Sequence, residues 1–501
     1  MIDRDDLLRR VRRANPAPSE WALPAGLADA RPPLGWLIDG GKAMAGTATV
    51  APAARRWRRP ALVTGIAFAV TLAAVGATLL LLRGSEEAPP ITTATTLGPT
   101  TTLAPTTTTP PPTTTAASTT TTAPPASAAV TWTRVADQES FRRSYIMSIA
   151  EFDGRLVAGG LVFEDDPAGW NVWASDAAVW ISDDASQWRR VEAPEIFGGA
   201  GIQEIGQIEA GPDGLVAIGV DAGEGGFPWG AVWTSPDGET WQRTTDPALA
   251  IMESVVWSGD RWVAVGWDPL EGARAWVSPN GTDWTAITGR DLHGSAPEVA
   301  AKIFDVVATS SGLVAVGAVP DAEHSTVNLD GESSAGAVWV SESGVSWERL
   351  VSAPVAEDAD LYTVTAAPGG GVIAFGSGGA WRSTDPGDAA SWHRVGSSST
   401  MPLPLTQPAW DGDRGIAAGG WWGSAVVWAT VDGGESWEAT GHSLDAFADG
   451  YRFGVQDVIL SGGRFIAVGG DTAVNPGSNW HDTPMIGDGA LAAVWVGMFG
   501  G

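Results

Sequence analysis

Between residues 156 and 470 a short apolar run ending in glycine recurs seven times. The copies are LVAGG (156–160), LVAIG (215–219), WVAVG (262–266), LVAVG (313–317), VIAFG (372–376), GIAAGG (415–420) and FIAVGG (465–470). Each is short, rich in β-branched residues and bounded by turn formers, so each reads as a buried strand. After a connection of variable length comes a segment with two tryptophans. There are six: VWISDDASQW (179–188), VWTSPDGETW (232–241), AWVSPNGTDW (275–284), VWVSESGVSW (338–347), AWRSTDPGDAASW (380–392) and VWATVDGGESW (427–437). Asp-Gly and Asn-Gly suit the positive-φ positions of hairpin turns, so the two tryptophans flank a turn between antiparallel strands. A further strand precedes the apolar run in most units, as in IFDVVAT (303–309). A unit of about four short strands, repeated every 45–60 residues or so, predicts a β-propeller.

Seven front halves stand against six complete hairpins. The last unit stops at AAVWVGMFGG (492–501), with Trp495 and no second tryptophan. The orphan segment TWTRV (131–135) supplies the missing half. The pattern therefore predicts an all-β, seven-bladed propeller over residues 129–501, closed by pairing of the Trp132 strand with the Trp495 strand. Closure removes an exposed sheet edge.

The residues before the repeats follow other rules. Residues 61–82 are 22 positions without a charge, long enough to cross a hydrocarbon core of about 30 Å. RRWRR (55–59) precedes this run and a single Arg83 follows it, so the positive-inside rule places residues 1–60 in the cytoplasm and the propeller outside. Within that tail, Leu7, Leu8 and Val11 share one face of a short predicted helix, suited to the inner leaflet or to a cytoplasmic partner. Residues 83–128 are largely Thr, Pro and Ala and cannot bury a core; they read as a disordered extracellular stalk. Polyproline-like extension at about 3.1 Å per residue gives it a reach on the order of 100 Å.

Composition narrows the function. Residues 84–501 carry 17 Lys/Arg against 52 Asp/Glu, a charge that repels nucleic acid. The chain has no cysteine, and its five histidines are scattered, so no metal site and no cofactor are expected. The acidic runs at 164–166 and 357–360 read as solvated surface.

The segment TVDGGESW (430–437) matches the pattern S/T-x-D-x-G-x-T/S-W, with Asp432, Gly434 and Trp437 in the key places. On this motif the chain resembles the Asp-box, or bacterial-neuraminidase-repeat, propellers of the sialidase-like superfamily, over about residues 130–501. That group includes sialidases, related exo-glycosidase-like proteins and a photosystem assembly factor. The other copies are looser. Those holding Asp237 with Trp241, and Trp284, are one residue short; the Trp347 copy lacks the acid; the Trp392 copy carries an insertion. The resemblance implies that these residues knit a hairpin on the rim and take no part in catalysis. It also implies that a sialidase-like site would need three arginines on a carboxylate, a Tyr nucleophile with a Glu, and a second carboxyl group. The Arg-Ile-Pro-like motif that usually carries the first arginine does not occur. The three tyrosines, Tyr145, Tyr362 and Tyr451, all precede a blade's first strand, and Tyr451 with Arg452 is the nearest catalytic candidate.

Aligning the inner strands on their terminal glycines places Met147, Gln207, Ser254, Asp305, Gln407 and Asp457 twelve positions upstream, with Thr363 in the fifth blade after a slip of one. These form a predicted axial ring, read as a hydrated channel wall or as a polar ligand site. The expected function is a non-catalytic recognition or scaffold protein on the cell surface, with a glycan or protein ligand on the propeller face. The alternatives are an extracellular sialidase-like or other glycoside hydrolase, and a sensor signalling through the tail.

Overall fold

The computed structural model describes residues 130–136, 138–163, 174–223, 229–246, 249–268, 271–287, 292, 301–320, 334–350, 360–376, 379–396, 406–421, 424–439, 454–472 and 490–499. The tail (1–60), apolar segment (61–82) and stalk (83–128), and the pair Tyr451 and Arg452, lie outside them. Among the described residues no helix is long and apolar enough to cross a membrane.

The chain opens with β1 (Val130–Arg134) and then builds its blades in order. Blade 1 is β2 (Ser144–Phe152), β3 (Arg155–Phe163), β4 (Ser175–Ser182) and β5 (Arg189–Arg190). Blade 2 is β6 (Gln203–Gly211), β7 (Gly214–Asp221), β8 (Trp229–Ser235) and β9 (Gln242–Thr245). Blade 3 is β10 (Ile251–Trp257), β11 (Trp262–Asp268), β12 (Gly272–Ser278) and β13 (Thr285–Ile287). Blade 4 is β14 (Lys302–Thr309), β15 (Gly312–Pro320), β16 (Ser334–Ser341) and β17 (Glu348–Arg349). Blade 5 is β18 (Leu361–Ala366), β19 (Val372–Gly376), β20 (Gly379–Ser383) and β21 (His393–Val395). Blade 6 is β22 (Ala409–Asp411), β23 (Arg414–Trp421), β24 (Ser424–Thr430) and β25 (Glu438–Ala439). The last blade is β26 (Val455–Ser461), β27 (Arg464–Thr472) and β28 (Ala490–Phe499), completed by β1. Every neighbouring pair within a blade is antiparallel, and the chain is an all-β, seven-bladed propeller.

Closure pairs the two strands as expected, β1 with β28. Trp132 pairs with Gly497 and Arg134 with Trp495. The Trp132 ring lies over Gly497, where a Cβ would stand 2.7 Å from ring atoms. Val130 and Trp132 join the buried cluster between the sixth and seventh blades, with Ile416, Val427, Val458 and Phe465.

The core sits between blades. The second strand of each blade is apolar on both faces because a neighbouring blade covers each; Val263, Ala264 and Val265 are all fully buried. The glycine that ends this strand has a steric cause. Six of the seven inner strands carry a bulge near the start of the ladder, shifting register between Ile146 and Ser148, Ile205 and Gln207, Met252 and Ser254, Ile303 and Asp305, Leu361 and Thr363, and Val455 and Asp457. The bend drives the preceding strand's carbonyl oxygen onto the glycine. A Cβ at Gly160, Gly219, Gly266 or Gly317 would collide with the carbonyl oxygen of Tyr145, Glu204, Ile251 or Lys302, respectively.

The rim turns share one geometry despite their differing lengths. Ser235 Oγ accepts from Gly238 N (2.8 Å), Asp237 Oδ1 accepts from Glu239 N (2.8 Å), and Trp241 Nε1 donates to the Gly238 carbonyl (2.8 Å). Asn280 and Trp284 repeat this, as do Asp432 and Trp437 with one extra residue. Asp184 does the same in the first blade, where Ala185 takes a positive φ of 67° in place of glycine. Trp347 donates to the Gly344 carbonyl with Ser343 in the place of the motif acid, and Trp392 to the Pro386 carbonyl across the insertion.

Candidate functional site at the axis and its mouth

The inner strands surround the axis, and the bulge sets what each presents there. One residue of the predicted ring changes. Ser148 pairs with Gly159 as Gln207 pairs with Ile218, so Ser148 holds the blade 1 position. Met147 is the bulged residue itself, and it packs with Tyr145 and Leu161. The sequence alignment took Gly159 as the strand's end, whereas the structural equivalent is Gly160. Thr363 occupies the same place as the others; the extra residue lies in the Gly-rich turn before Val372.

The ring residues form a belt that joins blades. A bulge leaves backbone N–H groups without a ladder partner, and a buried donor needs an acceptor. The acceptor comes from the ring side chain of the preceding blade. Ile149 N donates to Asp457 Oδ2 (3.0 Å), Ile208 N to Ser148 Oγ (3.2 Å), Val255 N to Gln207 Oε1 (2.6 Å), Val306 N to Ser254 Oγ (3.4 Å) and Val364 N to Asp305 Oδ2 (2.8 Å). The series is interrupted at blade 6. Pro408 follows Gln407 and has no N–H to give. Gln407 Nε2 instead donates to Asp305 Oδ1 (2.8 Å).

Asp305 is the knot of this belt. It is 5% exposed and accepts from Ser254 Oγ (2.8 Å), Thr363 Oγ1 (2.7 Å), Val364 N and Gln407 Nε2, drawing on blades 3, 5 and 6, and from its neighbour Val306 N (2.8 Å). Burial pushes its pKa up against these bonds. Asp457 is pushed up to about 6, chiefly by burial. Glu209, two positions beyond Gln207, is pushed to about 8, first by burial and then by the charges of Asp457 and Asp305. Asp305→Ala would leave two hydroxyls, an amide and a backbone N–H from other blades without an acceptor. At about 1–3 kcal/mol per stranded buried donor, the loss should reach about 3 kcal/mol or more in urea unfolding. Asp305→Asn, which keeps an acceptor oxygen, should cost less.

A second cluster lies at the mouth, where the inner strands begin and the connections between blades arrive. Glu204 in β6 is 1% exposed, and among the described residues neither carboxyl oxygen has a hydrogen-bond partner. Burial raises its pKa to about 8, with the charge of Glu253 adding to the shift. Glu253, the bulged residue of β10, accepts from Trp267 Nε1 (2.8 Å). Its pKa is raised to about 7 by burial, opposed by the Trp267 bond and by Lys302. The Lys302 ammonium sits 4.7 Å over the Trp267 ring. At the next two bulges Phe304 and Tyr362 stack with centroids 5.6 Å apart, and Tyr362 donates to Asp360 (3.2 Å). On the opposite side Tyr145 lies over Gly470, and burial raises its hydroxyl pKa against a bond with Gln456. Of this group the sequence singled out Tyr145 and Tyr362, which lie inside β2 and β18 and not before them, and Asp360, whose acidic run read as solvated surface but which is buried at the mouth. Among the described residues no group of three or more His, Asp or Glu could hold a metal ion.

No family model and no curated protein matches the sequence. Solved structures do match in shape. One described as YCF48 bound to a D1 peptide is 13% identical, with a TM-score of 0.42 over 73% of this chain and 94% of that one. The GH93 α-L-arabinofuranosidase of Fusarium graminearum with arabinobiose is 10% identical, with a TM-score of 0.41 over 73% and 97%. A Trypanosoma rangeli sialidase is 11% identical, with a TM-score of 0.38 over 73% and 58%. At these values the likeness assigns neither ligand nor reaction to this chain.

Proposed function

We propose that this chain is a recognition or scaffold propeller of the Asp-box type, displayed outside the cell on a single membrane anchor and acting by binding rather than turnover. The observation that supports it is the belt. Ser148, Gln207, Ser254, Asp305 and Asp457, the ring side chains of the inner strands, are engaged in holding blades together. Ligand contact then falls to the mouth, where the connections of variable length begin and end; such connections on a rigid scaffold are where binding residues concentrate. The anchor is residues 61–82, with residues 1–60 inside and the stalk 83–128 as spacer.

One observation favours a second reading, a glycoside hydrolase. Glu204 and Glu253 have pKa values raised to about 8 and about 7, as a general acid requires. A single experiment separates the two. Protease treatment of intact cells that express the chain should shed the propeller, and the shed fragment should capture a ligand on glycan or protein arrays without hydrolysing sialosides or arabinosides. Turnover that survives purification and vanishes in Glu253→Gln would establish the hydrolase, and a propeller that stays protected in intact cells would reverse the topology.

A further inference from the structure

From the mouth cluster we infer that Glu204 and Glu253 form the carboxyl floor of a site for a cationic group, the guanidinium or ammonium of a basic polypeptide side chain. This deepens the recognition reading by naming the ligand class, and it rests on that reading. Three observations carry it. Glu204 is a buried carboxyl group with no partner for either oxygen among the described residues, an arrangement that is costly unless something completes it. Its neighbour is a second carboxyl group from the next blade. The nearby cation, Lys302, lies over Trp267 on the Glu253 side, where it offsets Glu253. Among the described residues no counter-charge faces Glu204.

The surroundings fit the same class. Phe304 and Tyr362 continue the tier as a stacked aromatic pair, and an aromatic face attracts a guanidinium or ammonium group. Asp360, held by Tyr362, adds a further acid to that side. The domain as a whole carries a large excess of Asp and Glu over Lys and Arg, which draws a basic partner toward the mouth and repels an acidic one. A cation entering beside Glu204 would displace the proton that burial keeps on the pair, so binding should release protons near neutral pH.

The test uses the full chain in detergent, titrated calorimetrically with two probes: a short peptide carrying one central arginine between glycines, and free spermidine. We expect the arginine peptide to bind with proton release, read as a buffer-dependent heat. Glu204→Gln and Glu253→Gln should each weaken it by about tenfold or more. Glu192→Gln, an exposed rim change of equal charge, should alter it by less than about twofold. Spermidine binding as tightly as the peptide, and equally lost in Glu204→Gln, would keep the cation site but replace the polypeptide source with a free amine. Peptide binding that Glu204→Gln leaves intact, or that Glu192→Gln weakens equally, overturns the proposal. Array capture of a neutral glycan, unchanged in Glu204→Gln, would also overturn it while leaving the recognition reading in place.

Discussion

Deletion of residues 130–135 should lower the melting temperature by about 10 °C or more, or drive the protein into aggregates. The strand β1 is the outer strand of the last blade, and its five residues pair with Trp495 to Phe499. Without it β28 becomes an open edge, a template for pairing with another chain. The deletion also removes Trp132, which is 7% exposed and sits among Val427, Val458 and Phe465. Loss of a buried tryptophan alone costs about 3–5 kcal/mol, a large part of the 5–15 kcal/mol or so that holds a domain folded. Trp132→Ala, which keeps the strand and its backbone pairing, should therefore melt between the deletion and the wild type. Removal of residues 1–125 should leave the transition where it is, because closure begins at Val130. A deletion of 130–135 that melts like the wild type would mean that the ring holds without this clasp.

The closure was readable because it is a counting problem. Seven LVAVG-like runs against six two-Trp hairpins leave one half-unit at each end. The turns were readable as well, although Asp184 escaped notice: Ala185 stands where the pattern asks for glycine, and only the φ of 67° shows that the backbone takes the same path. The ring residues were found by their spacing, but their role was not. Asp305 looks like a ligand group in a strand of the type IFDVVAT, and nothing in the letters tells that Val364 N, Gln407 and Thr363 all point at it. That depends on the bulge, a backbone feature with no side-chain signature; the blade 1 position moved from Met147 to Ser148 because Gly160, and not Gly159, is the equivalent glycine of that strand. Glu204, Glu253 and Glu209 were missed for a related reason. Glu204 and Glu209 share β6 and Glu253 sits in β10, and nothing in the letters of either strand marks these positions as buried. The inner strands of adjacent blades pack together across some 50 residues of chain, a contact the local pattern does not show.

Those same carboxyl groups should make the propeller less stable as the solution turns alkaline, the reverse of what salt-bridged acids do. Glu204 is raised from its ordinary value of 4.5 to about 8, Glu209 to about 8 and Glu253 to about 7, each mainly by burial. The groups facing them are few: Glu253 faces Glu204, Lys302 and Trp267 face Glu253, and Asp305 and Asp457 face Glu209. Between about pH 4.5 and 8 the folded chain holds protons that the unfolded chain has released, so the free energy of unfolding falls as pH rises. Each unit of displacement is worth about 1.4 kcal/mol, which puts the combined effect at a few kcal/mol or more. The rim turns work in the opposite sense at the acid end. Asp184 is held low first by Ser186, and Asp237 first by the Thr240 backbone N–H, so their contribution fades only at strongly acid pH. Urea midpoints should therefore be highest at mildly acid pH and decline steadily toward about pH 8.5. Glu204→Gln, which removes the titrating group but keeps its shape, should flatten that decline. A midpoint that climbs from mildly acid to alkaline pH, or a slope that Glu204→Gln leaves unchanged, would show that these carboxyl groups are ionised in the folded protein and have found partners there.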